Sequence, residues 1–478
     1  MPSGVFHHRE VHLYALEPHD PVHPAAFDGP LALQHESELG EELSRGCEVV
    51  NHDADVVHPL DSHGRDGKQT ALVSGPPLTR PLRVCRLVAL AALLCLCGAP
   101  GASAIPWDIA GAIPPSRTGP AHRPDPLCGQ SYANDAKRGG PRLRFGIGPR
   151  LAGEGGSANT TPVVSEDFRK RDRALAQLKG RRYLAVRLNR LFMSDGERGI
   201  RSFKKLADRF TRHGIEVELQ VRYHPLPADN GAIAKWLTFV RKVVRAFGPN
   251  RRVTRLQITN EVNLDFSPNT SDGYWKGSVR ALVDGVIAAK RESRRYGYRW
   301  QKVGFNFAWR NGDYEKDATF WSEVARLGGR RLRRATDYVG IDIYPGTYTP
   351  GILLPNSPPI VNLGDAFLEG LAQMRECYMP KAGFTRSTPM RIEETGYPTG
   401  PGRPDEAAQA RATAALVRTA AAYRGTYNIS DFRWFGLRDN NSKGPNFQSF
   451  FGLLRDDYSR KPAFGVYRRL IARYGAKR

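Results

Sequence analysis

A (β/α)8 TIM barrel is the fold that the sequence predicts, and three observations carry it. From Pro141 onward, short β-branched runs alternate with longer helical stretches through eight units. Within those helical stretches the apolar residues recur at helical spacing, so each presents one face to a sheet. Polar residues gather immediately after the apolar runs, at the strand ends where barrel enzymes carry their chemistry.

Taken in order, the predicted strands are Arg142–Ile147, Tyr183–Leu188, Glu216–Arg222, Arg255–Thr259, Lys302–Phe307, Tyr338–Ile343, Met390–Glu394 and Asp431–Gly436. Between them, Phe203, Leu206, Ala207 and Phe210 share one helical face, as do Trp236, Phe239, Val240, Val243, Val244 and Phe247. The Ala-rich stretch Glu406–Ala422 and a terminal helix over Lys461–Tyr474, opened by a proline in its first turn, complete the series. No internal repeat and no long linker interrupts it, so residues 141–478 are expected to form one barrel. A doubly wound open sheet is the structural rival. It calls for a glycine-rich phosphate loop after its first strand, and Gly146-Ile-Gly148 is followed by Pro149-Arg150 without the later glycine.

The region before the barrel reads differently. His7, His8, His12, His19, His23, His35, His52, His58 and His63 crowd a stretch with no sustained apolar period and no zinc-site spacing. Residues 1–78 are therefore expected to be an unstructured extension, with the translation start near Val73 or Leu78. Arg80, Arg83 and Arg86 precede the apolar run Leu87–Cys97 and the small-residue segment ending at Ala104, the order found in a secretory signal. Residues 79–104 are expected to be that signal and 105–140 a lead-in to the barrel. The apolar run is too short for a stable membrane span.

The formal charge of +23 would suit a polyanionic partner or an anionic cell envelope, with which electrostatic association is expected. Most of the excess is arginine scattered along helices, as at Arg241, Arg291, Arg294, Arg295, Arg330 and Arg331, which reads as solvated helix faces. No zinc-finger spacing, helix-turn-helix pattern or RNA-binding aromatic signature is present, so no specific nucleic-acid partner is expected. Cys128 and Cys377 remain in the mature chain, where they form one bridge in an oxidising compartment or stay as two buried thiols.

At the strand ends stand Arg187, His224, Asn260-Glu261, Asp342, Tyr344, Glu393-Glu394 and Trp434. Glycosidic cleavage needs one carboxyl to protonate the leaving oxygen and another to attack or stabilise the oxocarbenium-like centre, and strands four and seven face each other across a barrel mouth. Pleat alternation turns Glu393 and Glu394 to opposite sides, so only one can face that mouth. Arg187 suits either a clamp on a carboxylate or an ion pair at the rim. His224 suits either a sugar contact or a structural hydrogen bond, and Asp342 either a contact with substrate or support for a neighbour. No cluster suggests a metal, and the reaction requires no cofactor.

Thr259-Asn260-Glu261 after strand four and Glu394-Thr-Gly-Tyr-Pro-Thr399 after strand seven resemble the acid/base and nucleophile motifs of clan A glycoside hydrolases, and Phe451-Gly-Leu-Leu with Lys461-Pro-Ala strengthens the likeness. The resemblance runs from about Pro141 to the carboxyl terminus. It implies that Glu261 is the acid/base and Glu394 the nucleophile of a retaining enzyme, with Glu393 a salt-bridging or rim residue. It further implies that Asn260 bonds the sugar 2-hydroxyl, Tyr344 holds the nucleophile and Trp434 floors the sugar site. The expected protein is a secreted, monomeric hydrolase of a polysaccharide or glycoconjugate. The alternatives are a non-catalytic carbohydrate-binding barrel and a polyanion-binding protein that works through its arginine surface.

Overall fold

The computed structural model describes residues 137–149, 163–265, 268, 270–309, 314–347 and 363–477, together with the backbone of 124–125 and 130–131. The expected extension 1–78 and signal 79–104 lie outside the described residues, as does most of the lead-in 105–140. Of that lead-in, Pro124–Asp125 pairs antiparallel with Gln130–Ser131.

Eight strands close into an all-parallel barrel: β1 Arg144–Ile147, β2 Ala185–Phe192, β3 Glu216–Arg222, β4 Val253–Ile258, β5 Lys302–Ala308, β6 Tyr338–Asp342, β7 Met390–Glu394 and β8 Ile429–Trp434. Each pairs with the next in sequence and β8 returns to β1. Around them run α1 Phe168–Lys179, α2 Gly196–Arg212, α3 Ile233–Phe247, α4 Ser278–Arg295, α5 Tyr314–Ala335, α6 Leu363–Gln373, α7 Glu406–Tyr423 and α8 Pro462–Tyr474. This is the (β/α)8 barrel expected from the alternation.

Local chemistry sets the helix bounds. The Asp167 carboxylate accepts from the amides of Arg169 and Lys170 to cap α1, and Asp405 caps α7 through the Ala408 amide. In α3 all six residues of the expected apolar face are buried. Each such side chain contributes about 1.5–3 kcal/mol when removed from water, which is what seats the helix against the barrel.

The barrel interior is unusual in being ionic, where branched aliphatic layers are common. Glu218, at the centre, receives Arg187 (2.9 Å), Arg391 (2.5 Å) and Arg433 (3.0 Å), and Asp431 pairs with Arg433 (2.8 Å). All are essentially buried. Burial pushes the Glu218 carboxyl up, but Arg391 and Arg433 outweigh it and hold the group well below the usual range. Glycine makes the room: a Cβ at Gly146 would stand 2.6 Å from the Arg433 side chain, and one at Gly340 would stand 2.5 Å from that of Glu393.

Candidate active site

The carboxyl end of β4 is bent by two closely spaced exceptions to ordinary backbone geometry. Thr259 and Glu261 have φ of 64° and 44°, on either side of Asn260. Positive φ costs a non-glycine residue on the order of 1–3 kcal/mol, and it persists where the surroundings determine it. Here three successive amides are bound: Thr259 N donates to Val221 O (2.8 Å), Asn260 N to Asp272 Oδ2 (3.0 Å) and Glu261 N to Asn306 Oδ1 (3.0 Å). Asp272 is itself pinned by Arg222 Nε (2.6 Å) and the Tyr223 amide (2.8 Å). The bend thus aims the half-buried Glu261 side chain into the mouth.

Glu394 arrives from the opposite strand by a different device. The β6–β7 register runs Ile341 opposite Ile392 and then Asp342 opposite Glu394, a bulge at the strand end. Pleat alternation alone would send Glu393 and Glu394 to opposite faces. The bulge re-aims the second of them, and both reach Arg187: Glu393 Oε2 at 3.4 Å from Nη1, Glu394 Oε1 at 3.0 Å from Nη2. The alternation argument is therefore corrected by the bulge, with Glu393 turned inward to Arg391 as a salt-bridging residue. Tyr344 Oη donates to Glu394 Oε2 at 2.9 Å, so each oxygen of this carboxylate has a dedicated donor. Between its reading as a rim ion pair and as a carboxylate clamp, Arg187 is placed as the clamp.

Glu261, Asp342 and Glu394 each bring a carboxyl oxygen within 4.8 Å of the others. Burial pushes the Glu261 carboxyl up to about 8, with the Glu394 charge as the next cause. Asp342 is also raised well above the usual carboxyl range, by burial and then by Glu394 and Glu261. For Arg187, burial opposes the charge, but Glu394, Glu218 and Glu393 overcome it and keep the guanidinium protonated. The three carboxyls could in shape surround a cation. Arg187 and Tyr344 already occupy both Glu394 oxygens, however, and Arg187 supplies the positive charge.

The other expected site residues divide. Asn260 is adjacent, its Oδ1 accepting from Gln220 (2.7 Å) and Asn306 (2.8 Å) while its Nδ2 donates to Thr270 O (2.9 Å) and lies 3.4 Å from Glu261 Oε2. His224 stands at the end of β3 in an aromatic group, stacked on Phe192 at 4.3 Å and edge-on to Trp275 at 4.8 Å. Trp434 is not at the mouth. On β8, Asp431 and Arg433 take the interior, so Trp434 turns outward, fully buried beside Tyr467 of α8. Phe435, the next residue, is the aromatic that faces Tyr344 (6.0 Å, edge to face) and Phe451 (5.3 Å).

Asn306, Gln257 and Phe435 are among the contributors that escaped the sequence reading, with Asp272, Arg222 and Gln220. Asn306 ties Glu261, Asn260 and Asp342 together from β5, and Gln257 accepts from Arg187 at 2.6 Å. The signal for Asn306 was its place between Phe305 and Phe307, both of which pack on Trp321 of α5. A polar residue between two helix-facing aromatics on a barrel strand must point inward. Cys377 is disulfide-bonded; Cys128 lies outside the described residues.

No protein-family model matches the chain, and no curated protein does. Among solved structures it is similar to GH5_18 from Streptomyces cattleya in complex with GlcNAc, at 14% identity and a TM-score of 0.47, covering 71% of this chain and 82% of that one. It is similar to a family 1 β-glucosidase from Thermotoga maritima, at 15% identity and a TM-score of 0.49, over 71% of this chain and 100% of that one. A family 39 glycoside hydrolase from Bacteroides cellulosilyticus WH2 shows 16% identity and a TM-score of 0.45, over 69% of this chain and 63% of that one.

Proposed function

We propose that the protein is a retaining glycoside hydrolase that acts by double displacement on an O-glycosidic bond of a polysaccharide or glycoconjugate. The observation that carries this reading is the pair of carboxyls at the ends of β4 and β7, with oxygens within 4.8 Å, one of them bound on both oxygens by Arg187 and Tyr344. Retention needs carboxyls about 5–5.5 Å apart, whereas inversion leaves about 6.5–9.5 Å for a water.

In the first half of the cycle Glu394 attacks the anomeric carbon, its two donors holding the attacking oxygen in line. The Glu261 proton passes to the departing glycosidic oxygen as that bond breaks. A carboxyl pushed up to about 8 still carries its proton at neutral pH. The Glu394 charge is then consumed in the glycosyl ester, which removes one cause of the raised Glu261 value. Glu261 becomes a stronger acid, and its conjugate base takes a proton from the water that cleaves the ester. Phe435 offers an apolar face beside Tyr344 for sugar C–H groups. We also propose export through the 79–104 signal, a monomeric state and an electrostatic association with an anionic envelope, on the sequence features described above.

Labelling with activated 2-deoxy-2-fluoro glycosides, followed by peptide mapping, tests the reading. A glycosyl adduct on Glu394 is expected. No adduct across a broad sugar panel, with saccharide binding unaltered in Glu394→Gln, would establish a non-catalytic binding barrel instead.

A further inference from the structure

Asp342 is the carboxyl of the cluster to which the two-step cycle gives no task. It is 1% exposed. Its Oδ2 accepts from Asn306 Nδ2 at 2.5 Å, while its buried Oδ1 has no hydrogen-bond donor. An oxygen of Asp342 nevertheless lies within 4.8 Å of one from Glu261 and one from Glu394.

The groups that face Asp342 are Glu394, Glu261 and Glu393 among the acids and Arg187 among the bases. The hydrogen bonds of Arg187 go to Glu218, Gln257, Glu393 and Glu394, and none goes to Asp342. Glu261 is faced by Glu394, Arg222, Arg187 and Asp342, and Arg222 is already paired with Asp272. In each half of the cycle one of Glu261 and Glu394 is charged, and a charge on Asp342 would add a second dry negative charge beside it, supported by one amide N–H. Carboxyls this close do not all ionise, and they share protons as a set.

We infer that Asp342 is a positioning residue for Glu261: it remains protonated on Oδ1 and donates that hydrogen in a bond to the Glu261 carboxyl throughout the cycle. The inference rests on the acid/base role proposed for Glu261. One proton leaves Glu261 for the departing oxygen and one returns to it from water; Asp342 gains and loses none. Its hydrogen bond strengthens when Glu261 is ionised, so it orients Glu261 and favours the basic form needed in the second half. Asn306 decides which oxygen carries the proton, because its N–H occupies Oδ2 and leaves Oδ1.

Two variants of the full chain test this. Asparagine can accept from Asn306 through its oxygen and donate to Glu261 through its N–H, so Asp342→Asn preserves the bonding and cannot ionise. Asp342→Val keeps the approximate volume and loses both bonds. In Asp342→Asn, the alkaline limb of kcat/KM against pH is expected to stay within a few tenths of a unit of the parent. In Asp342→Val it should move upward while kcat falls roughly tenfold or more, the scale of a lost hydrogen bond to a charged group. A limb that drops by about a unit or more in Asp342→Asn would mean an ionised Asp342 acting by repulsion, and would overturn the inference. Lowered thermal stability in both variants with unmoved limbs would reduce the role to packing, and would also overturn it.

Infrared difference spectroscopy of the parent against Asp342→Asn at neutral pH provides a readout independent of activity. Glu261 keeps its proton in both proteins and cancels in the difference, so a second carboxylic-acid carbonyl stretch, that of Asp342, is expected in the parent and missing from the variant. Its absence from the parent refutes the inference even if fluoroglycosides label Glu394. A present band without labelling refutes only the glycosidase reading.

Discussion

Glu394→Gln isolates the electrostatic coupling on which the cycle depends. It removes the negative charge beside Glu261 while keeping volume and hydrogen-bonding capacity. The two carboxyl oxygens lie within 4.8 Å, and at an effective dielectric near 20 two unit charges about 4.8 Å apart interact by ~3.5 kcal/mol, equivalent to ~2.5 pKa units at 1.36 kcal/mol each. Arg187 offsets part of that charge through its 3.0 Å contact with Glu394, which reduces the expected fall in the Glu261 value to ~1–2 units. Burial remains the larger cause of the shift, so the variant should titrate below about 8 yet above the ordinary carboxyl value. The assay is a carbon-13 NMR titration of labelled glutamate, with the Glu261→Gln/Glu394→Gln double variant identifying the resonance. The trapped fluoroglycosyl enzyme, in which an ester replaces the same charge, should fall by a similar amount. A Glu261 midpoint that stays near about 8 or rises in Glu394→Gln would refute the coupling, and with it the account of how one residue serves as acid and then base.

Tyr344→Phe deletes the donor to Glu394 Oε2; at about 1.5–3 kcal/mol for a bond to a charged group, kcat/KM should fall roughly ten- to a hundredfold, as measured by steady-state kinetics with the melting temperature as control. Arg187→Met leaves Glu218, Glu393 and Glu394 without a shared cation inside the barrel, and a shift of the urea midpoint corresponding to about 3–5 kcal/mol is expected. Glu261→Gln should stabilise the fold at alkaline pH. The folded carboxyl titrates at about 8 against an ordinary 4.5, so between those values the native state holds the proton that the unfolded state has lost, and stability declines as pH rises. Melting curves of parent and Glu261→Gln should converge at pH about 4 and separate toward pH about 8, with the variant higher; the reverse order would contradict the raised value.

The strand count and the glutamate pair were legible because both follow from local pattern. Alternation of short and long periodic runs marks β1 to β8, and barrel geometry brings the ends of β4 and β7 to one mouth. What stayed hidden depends on small departures from that pattern. The Glu393–Glu394 choice by pleat assumed a regular strand, and the bulge opposite Ile341 and Asp342 removed that assumption. Trp434 was placed at the mouth by resemblance, whereas the inward turn of Asp431 and Arg433 assigns the mouth to Phe435. The strand β2 runs on to Phe192, beyond the expected Leu188, through a register shift that puts Arg190 at φ 67°. No propensity of the residues concerned signals such a shift.

One global feature was written in the sequence and is explained only by the closed barrel. Glu216-Val-Glu-Leu-Gln-Val-Arg222 alternates polar and apolar residues along a strand whose outer face is covered by helices. In an antiparallel sheet that pattern would mean one wet face. In a barrel wrapped by α1 to α8 the only other face is the interior, so the polar set must be paired there or leave the fold unstable. Val217, Leu219 and Val221 are fully buried, while Glu218 anchors three arginines, Gln220 holds Asn260 and Arg222 holds Asp272. The alternation of β3 therefore does two jobs. Its apolar set supports the outer layer, and its polar set rises through the barrel to the residues that carry Arg187, Asn260 and the bend at Glu261. Apolar filling at those positions would leave the Glu394 clamp without its own counter-charges, because Arg187 is held on one side by Glu218 and Gln257 and on the other by the carboxylate it presents.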